Sequence, residues 1–115
     1  MKLELTPDEL VINLNFWERI LAVHGSIRIP LKNVRGATED DGFRGYGLRS
    51  PGTHVPGIIT AGTYRKDGDK QFAFVMRRTH LVVIELSQEK WARIILGVPD
   101  ARSAVLRINA AVGKP

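Results

Sequence analysis

The sequence predicts a mainly β fold in one domain spanning residues 1–115, closed by a C-terminal helix. Apolar and polar residues alternate in several short runs, which is the two-residue period of half-buried strands. Pro and Gly pairs separate these runs and indicate turns. The last segment instead repeats its apolar residues at helical spacing. A chain of 115 residues without a linker composition is typical of a single domain.

The first elements predicted are two strands joined by a tight turn. Alternation predicts strands over residues 2–5 and 10–14, and Pro7-Asp8 between them is a turn signal. A period of 3.6 then predicts a short helix over residues 15–24, with Asn15 as the cap and Glu18 completing a capping box. Phe16, Ile20 and Val23 share one apolar face, with Trp17 and Leu21 beside them. We expect this face to cover one end of a barrel, and Gly25 to supply the left-handed residue that ends the helix.

The remaining predicted strands fall on both sides of an irregular stretch. Residues 26–31 and 33–39 predict two strands, with a bulge or close approach at Gly36. Residues 58–65, 70–76, 81–86 and 91–98 predict four more, and Asp67-Gly68 indicates a hairpin between the first two. Hairpins in succession imply an antiparallel sheet. Asp100 is the expected cap of a final helix that ends at Gly113. Its apolar stripe consists of Ala101, Ala104, Val105, Ile108, Ala111 and Val112.

Residues 40–57 contain five glycines and two Pro-Gly pairs, which are typical of turns. We therefore predict an ordered loop without regular structure over this segment. A loop of this length often carries a functional site.

Part of this segment resembles a known family. The run Arg49-Ser50-Pro51-Gly52-Thr53-His54-Val55-Pro56-Gly57, followed by Gly62-Thr63-Tyr64, is similar to a mainly actinobacterial group of bacterial pleckstrin-homology-like domains. The ending, with residues 81–86, residues 94–100 and a helix, is similar to the same group. The resemblance implies an antiparallel bent barrel of about seven strands capped by a C-terminal α-helix. It implies no catalytic residues, and the early helix and the long 40–57 segment depart from the minimal fold.

The sequence shows no motif for catalysis, a metal or a nucleotide. Cysteine is absent, and no serine lies in a G-x-S-x-G context. The three histidines, His24, His54 and His80, are not at metal-ligand spacing. The glycines at 42, 45 and 47 are not followed by a helix, as a phosphate-binding loop requires. We therefore predict a protein that is not an enzyme and uses no cofactor or metal.

The ligand-binding candidates are basic residues in the 40–57 segment and the next hairpin. Arg44, Arg49 and His54 lie in the glycine-rich segment, and Lys66 and Lys70 flank the hairpin turn. These cations could contact an anionic surface or a phosphorylated ligand. The alternative for Arg49 is an ion pair with Asp40 or Asp41 that holds the segment in place. For the two lysines, the alternative is simple solvation.

Composition leaves three function hypotheses. Seventeen basic and twelve acidic residues give a net charge of +5, spread over the last three quarters of the chain. The first hypothesis is a module that contacts protein partners or itself, as a homodimer. The second is peripheral binding to anionic lipid, and the third is an enzyme with an unrecognised site, while nucleic acid is disfavoured because aromatic residues are few and scattered. Without a signal-peptide pattern, a long apolar run or cysteine, we expect a soluble cytoplasmic protein.

Overall fold

A computed structural model of the protein describes residues 1–41, 48–55, 58–66 and 68–113, with the backbone alone for residues 48–55 and 66. The described chain is mainly β. Its elements in order are β1 (Lys2–Leu5), β2 (Glu9–Asn13), α1 (Phe16–Ala22), β3 (Ile27–Pro30), a 3₁₀ turn (Leu31–Asn33), β4 (Val34–Glu39), β5 (Leu48–Val55), β6 (Ile59–Lys66), β7 (Asp69–Met76), β8 (His80–Leu86), β9 (Arg93–Val98) and α2 (Ala101–Val112).

The strands form two sheets. The first is a three-stranded antiparallel sheet in the order β1-β2-β3, and the second has six strands in the order β4-β8-β9-β7-β6-β5. The expectation of a purely antiparallel sheet was wrong at one pair, because β9 lies between β7 and β8 and runs parallel to β7. The prediction failed because alternation defines strands but not their neighbours, and β7 and β8 do not pair as a hairpin.

One hydrophobic core joins both sheets and α2. Its members share almost complete burial and include Leu10, Ile12, Ile29, Phe72, Ile84, Ile94 and Leu96. Successive residues on β7, β8 and β9 alternate between this core and a smaller cluster on the opposite sheet face, containing Ala73, Val83 and Ile95. The second cluster explains why these strands are apolar on both faces.

Residues 48–55 form a strand, so the prediction of an irregular loop over residues 40–57 was wrong there. β5 pairs with β6 along its length, and the register shifts between Ser50 and Gly52. Pro51 falls at this irregularity, on a strand at the edge of the sheet. Proline cannot donate a ladder hydrogen bond and is tolerated at edges and bulges. The Pro51-Gly52 signal was therefore a bulge and not a turn, whereas the second pair, Pro56-Gly57, lies outside the described residues.

Several local predictions were confirmed. The register of β4 shifts between Val34 and Gly36, which gives the bulge expected at Gly36. Gly68 occupies the β6–β7 turn with φ of 85°. Asp100 caps α2 by accepting a hydrogen bond from the Ser103 N–H, and Gly113 ends it.

Helix α2 covers the edge of the six-stranded sheet. The Asn109 side chain accepts a hydrogen bond from the Ala37 N–H at 2.9 Å and donates one to the Ala37 carbonyl at 2.9 Å. These are the two backbone groups that an edge strand presents to a further strand. The amide therefore replaces a neighbouring strand at this point of β4.

Candidate interaction surface

The structure separates the five predicted ligand-binding residues. Arg44 lies outside the described residues. The backbone of β5 places Arg49 opposite Tyr64, and His54 opposite Thr60, at the other end of the same pair of strands. Their partners on β6 are four residues apart, which is a rise of roughly 13 Å along the strand. His54 therefore does not join Arg49 in one site.

The other basic candidates lie at the Arg49 end of the sheet. Lys66 pairs with Asp69 across the hairpin turn, and Lys70 pairs with Arg65. Leu48, next to Arg49, is also paired with Arg65. The register thus gathers Arg49, Lys66 and Lys70 at one end of the β5-β6-β7 strands, and it makes Arg65 a fourth cation there.

Asp41, a predicted partner of Arg49, contacts residues of β8. Its carboxylate accepts a hydrogen bond from the Leu81 N–H at 2.8 Å and lies 3.1 Å from Nδ1 of His80. The Leu81 hydrogen bond, and secondarily His80, lower the pKa of Asp41 below its usual value of 3.8. Asp41 therefore fastens the end of β4 to β8. An ion pair with Arg49 remains a prediction, because the Arg49 side chain lies outside the description.

The histidines occupy three different environments. His24 packs edge-to-face against Phe72 and Trp91, with ring centroids 5.7 and 5.1 Å away. His80 contacts the Asp41 carboxylate, and His54 lies on β5. Within the described part of the chain, no three metal-ligating side chains come together.

Most of the apolar face predicted to be buried on α1 is exposed to solvent, although Leu21 beside it is half-buried against the core. The exposed fractions are 70% for Phe16, 70% for Trp17, 51% for Ile20 and 56% for Val23. The buried side of the helix instead carries Ala22. Exposed apolar residues grouped on one helix are a feature of interaction surfaces. We call these four residues the α1 apolar face.

Polar contacts explain why this helix is inverted. The amino group of Met1 forms an ion pair with Glu18, and both groups are largely shielded from solvent. Arg19 donates from Nε to the Leu14 carbonyl at 2.9 Å and from Nη2 to Ser26 Oγ at 3.2 Å. These bonds tie α1 to the segments just before and after it, while Leu21 and Ala22 are the helix residues that pack against the core. The apolar side is therefore turned outward.

Both ends of α1 are capped. Asn15 Oδ1 accepts from the Glu18 N–H at 2.9 Å, and Glu18 Oε1 accepts from the Asn15 N–H at 2.9 Å, so the predicted capping box is confirmed. The C-terminal end differs from the prediction. Val23, and not Gly25, takes the left-handed conformation, with φ of 52°. A β-branched residue there is uncommon, and no glycine pattern could have indicated it.

The surface has two concave regions of note. A broad groove of about 1090 Å³ lies between the β1–β2 turn, Leu31 and the end of α2, and it carries Lys32, Arg107 and Asp8 on its walls. A smaller cleft of about 370 Å³ lies beside His24 and Trp91. The groove mixes both signs of charge, so its walls do not select one ligand charge.

Comparisons of the chain with protein-family models, with curated proteins and with solved structures found no match. No helix in the described ranges is long and apolar enough to cross a bilayer.

Proposed function

We propose that the chain is a non-catalytic pleckstrin-homology-like module that acts through contacts with proteins, including copies of itself. The α1 apolar face carries this proposal, because two aromatic and two aliphatic side chains are at least half exposed on one short helix and its C-cap. Large apolar patches of this kind on soluble proteins mark interaction sites. Aromatic residues are also enriched where partners are bound most tightly.

The family part of the proposal is supported by the mainly β architecture and the C-terminal helix. The R-x-P-G-T block forms edge strand β5, directly before the Gly62-Thr63-Tyr64 strand. The parallel β7–β9 pair departs from the purely antiparallel barrel of the resemblance.

The proposal is tested by placing a photo-crosslinking amino acid at Trp17 in cells that naturally make the protein. Leu106 is the matched control position, since it is an apolar residue on α2 with 63% exposure. We expect protein adducts from position 17 and few from position 106. No adducts at either position, or equal yields at both, would overturn the proposal.

The alternative function is peripheral binding to anionic membrane lipids or to a phosphorylated small ligand. It is favoured by the gathering of Arg49, Lys66 and Lys70 at one end of neighbouring strands. Basic residues grouped in this way attract anionic surfaces, and salt weakens the attraction.

Co-sedimentation with phosphatidylglycerol vesicles separates the two functions. The protein-contact proposal expects no sedimentation at physiological salt. Binding that survives this salt and is lost in Arg49→Glu/Lys66→Glu would establish the lipid function instead. Lys32→Glu/Arg107→Glu is the control, because it makes the same change of charge at the groove beside α2.

A further inference from the structure

The stripe on α1 has the geometry of one side of a helix pair. Phe16 and Ile20 are spaced i and i+4 on α1, and Trp17 extends the stripe along one flank. Val23 is the left-handed residue that follows the helix. All four side chains are exposed. We infer that this face is a self-complementary interface through which two copies of the chain associate, with one α1 packed antiparallel on the other. This inference rests on the proposed function and names its partner.

The α1 apolar face is fixed in place before any partner arrives. The capping box and the left-handed Val23 hold both ends of the helix. The rings of Phe16 and Trp17 contact each other edge-to-face, with centroids 5.5 Å apart and planes at 74°. Such a pair loses little side-chain freedom on binding, so less of the interaction energy is offset by ordering.

The charged residues on α1 itself favour a protein over a lipid surface. Glu18 is paired with the N-terminal amino group, and the Arg19 guanidinium is bonded to Leu14 and Ser26. Both charged groups of the helix are therefore engaged within the chain. Binding to an anionic bilayer uses cations that point towards the headgroups beside the inserted apolar residues. Here the apolar side chains stand without such cations on the helix.

The area suits a small symmetric dimer. An aromatic side chain buries about 150–250 Å² when fully covered, so two rings that are 70% exposed offer roughly 200–350 Å². With Ile20 and Val23, one copy offers roughly 300–450 Å² of apolar area. Two copies approach the ~1,000 Å² that a specific interface needs once a polar rim is added. We therefore expect a weak, reversible dimer.

A second copy differs from other partners in its response to salt. Each chain carries a net charge of +5, so two copies repel one another. Salt screens this repulsion and strengthens the dimer, whereas it weakens binding to an acidic protein or to anionic lipid. The sign of the salt effect therefore distinguishes a second copy from an acidic protein or anionic lipid.

Sedimentation equilibrium over a wide range of protein concentration, at low and high salt, is the first test. We expect a monomer–dimer equilibrium that becomes tighter at high salt. Phe16→Ser/Trp17→Ser should weaken it at least tenfold with unchanged thermal unfolding, and Leu106→Ser should leave it unchanged. A monomer at every concentration, or equal weakening by both variants, would overturn the inference.

A cysteine placed on the stripe provides a second test that does not remove the interface. The chain contains no cysteine, so Ile20→Cys and Leu106→Cys each create one thiol. In an isologous pair, a residue near the two-fold axis meets its own copy. We expect Ile20→Cys to form disulfide dimers much faster than Leu106→Cys in dilute solution when both are treated with the same added oxidant. Equal rates would contradict the inference.

The two levels of proposal fail in different ways. If the protein stays monomeric while position 17 still gives adducts of other masses in cells, the second copy is wrong and protein contact stands. If position 17 gives no adducts and the protein is monomeric, both proposals are wrong.

Discussion

Helices α1 and α2 have similar sequence patterns, but the apolar stripe is buried in α2 and mostly exposed in α1. Each has an apolar stripe and a polar N-cap, which is Asn15 in α1 and Asp100 in α2. In α2 the stripe is buried, with Ala101, Ala104 and Ile108 almost inaccessible, whereas in α1 it faces solvent. An apolar stripe therefore defines one face of a helix but does not determine whether that face is buried. The polar contacts of Glu18 and Arg19 also help to orient α1.

The largest expected effect is the difference in free energy of unfolding between isoleucine-to-alanine substitutions on the two stripes. Ile108→Ala should reduce the free energy of unfolding by about 2–5 kcal/mol, because Ile108 is fully buried and the change leaves a cavity. Ile20→Ala should change it by less than about 0.5 kcal/mol, since that side chain is half exposed. Urea unfolding at a concentration that keeps the protein monomeric measures both. Similar losses would show that the α1 stripe is buried in solution.

The next effect concerns how α2 is held at the sheet edge. Asn109→Ala should reduce the free energy of unfolding by about 1–3 kcal/mol, because both backbone groups of Ala37 lose their side-chain partner. Arg107→Ala, two residues earlier and exposed, is the control and should change little. The measurement is again urea unfolding. Equal effects would mean that the Asn109 amide does not hold the β4 edge.

Removing the N-cap of either helix should destabilise the protein, but only removal of the α1 cap should weaken the proposed dimer interface. Asn15→Ala and Asp100→Ala should each lower the free energy of unfolding by about 1 kcal/mol, since each removes a side-chain acceptor at a helix start. Only Asn15→Ala should also weaken dimer formation in sedimentation equilibrium. If Asp100→Ala weakens it equally, association does not depend on α1.

The smallest effect lies at Asp41, at the end of β4, where neither helix contributes. Its pKa is lowered by the Leu81 N–H and by His80, so the folded state prefers the charged carboxylate. This stability is present above the ordinary pKa of 3.8 and is lost as the pH falls through the lower folded-state value.

The urea midpoint, followed from pH 5 to about pH 2, tests this linkage. Asp41→Asn should show a smaller decline than the unchanged chain, and Asp8→Asn should decline like the unchanged chain. An identical decline in all three proteins would remove Asp41 from the acid response.

Local chemistry explains which elements were predictable. The Asn15–Glu18 capping box, the Gly36 bulge, the Gly68 turn and the Asp100 cap all depend on residues close together in the chain. The strand β5 was missed because Pro51 and Gly52 indicate turns, and only pairing with β6 makes them a bulge. In the candidate site, the sequence identified the basic residues one by one. Only the strand register shows that His54 lies away from Arg49 and Lys66.

By itself, the sequence determined the β-rich composition of the fold, two helix positions and the apolar face of each predicted element. These follow from periodicity and from backbone preferences within a few residues. The tertiary structure decided that β9 lies between β7 and β8, that Asn109 covers the β4 edge, and that α1 turns its aromatic side outward. The physical reason is that these outcomes depend on contacts between residues far apart in the chain. The ion pair of Met1 with Glu18 is one such contact, and helical periodicity carries no information about it.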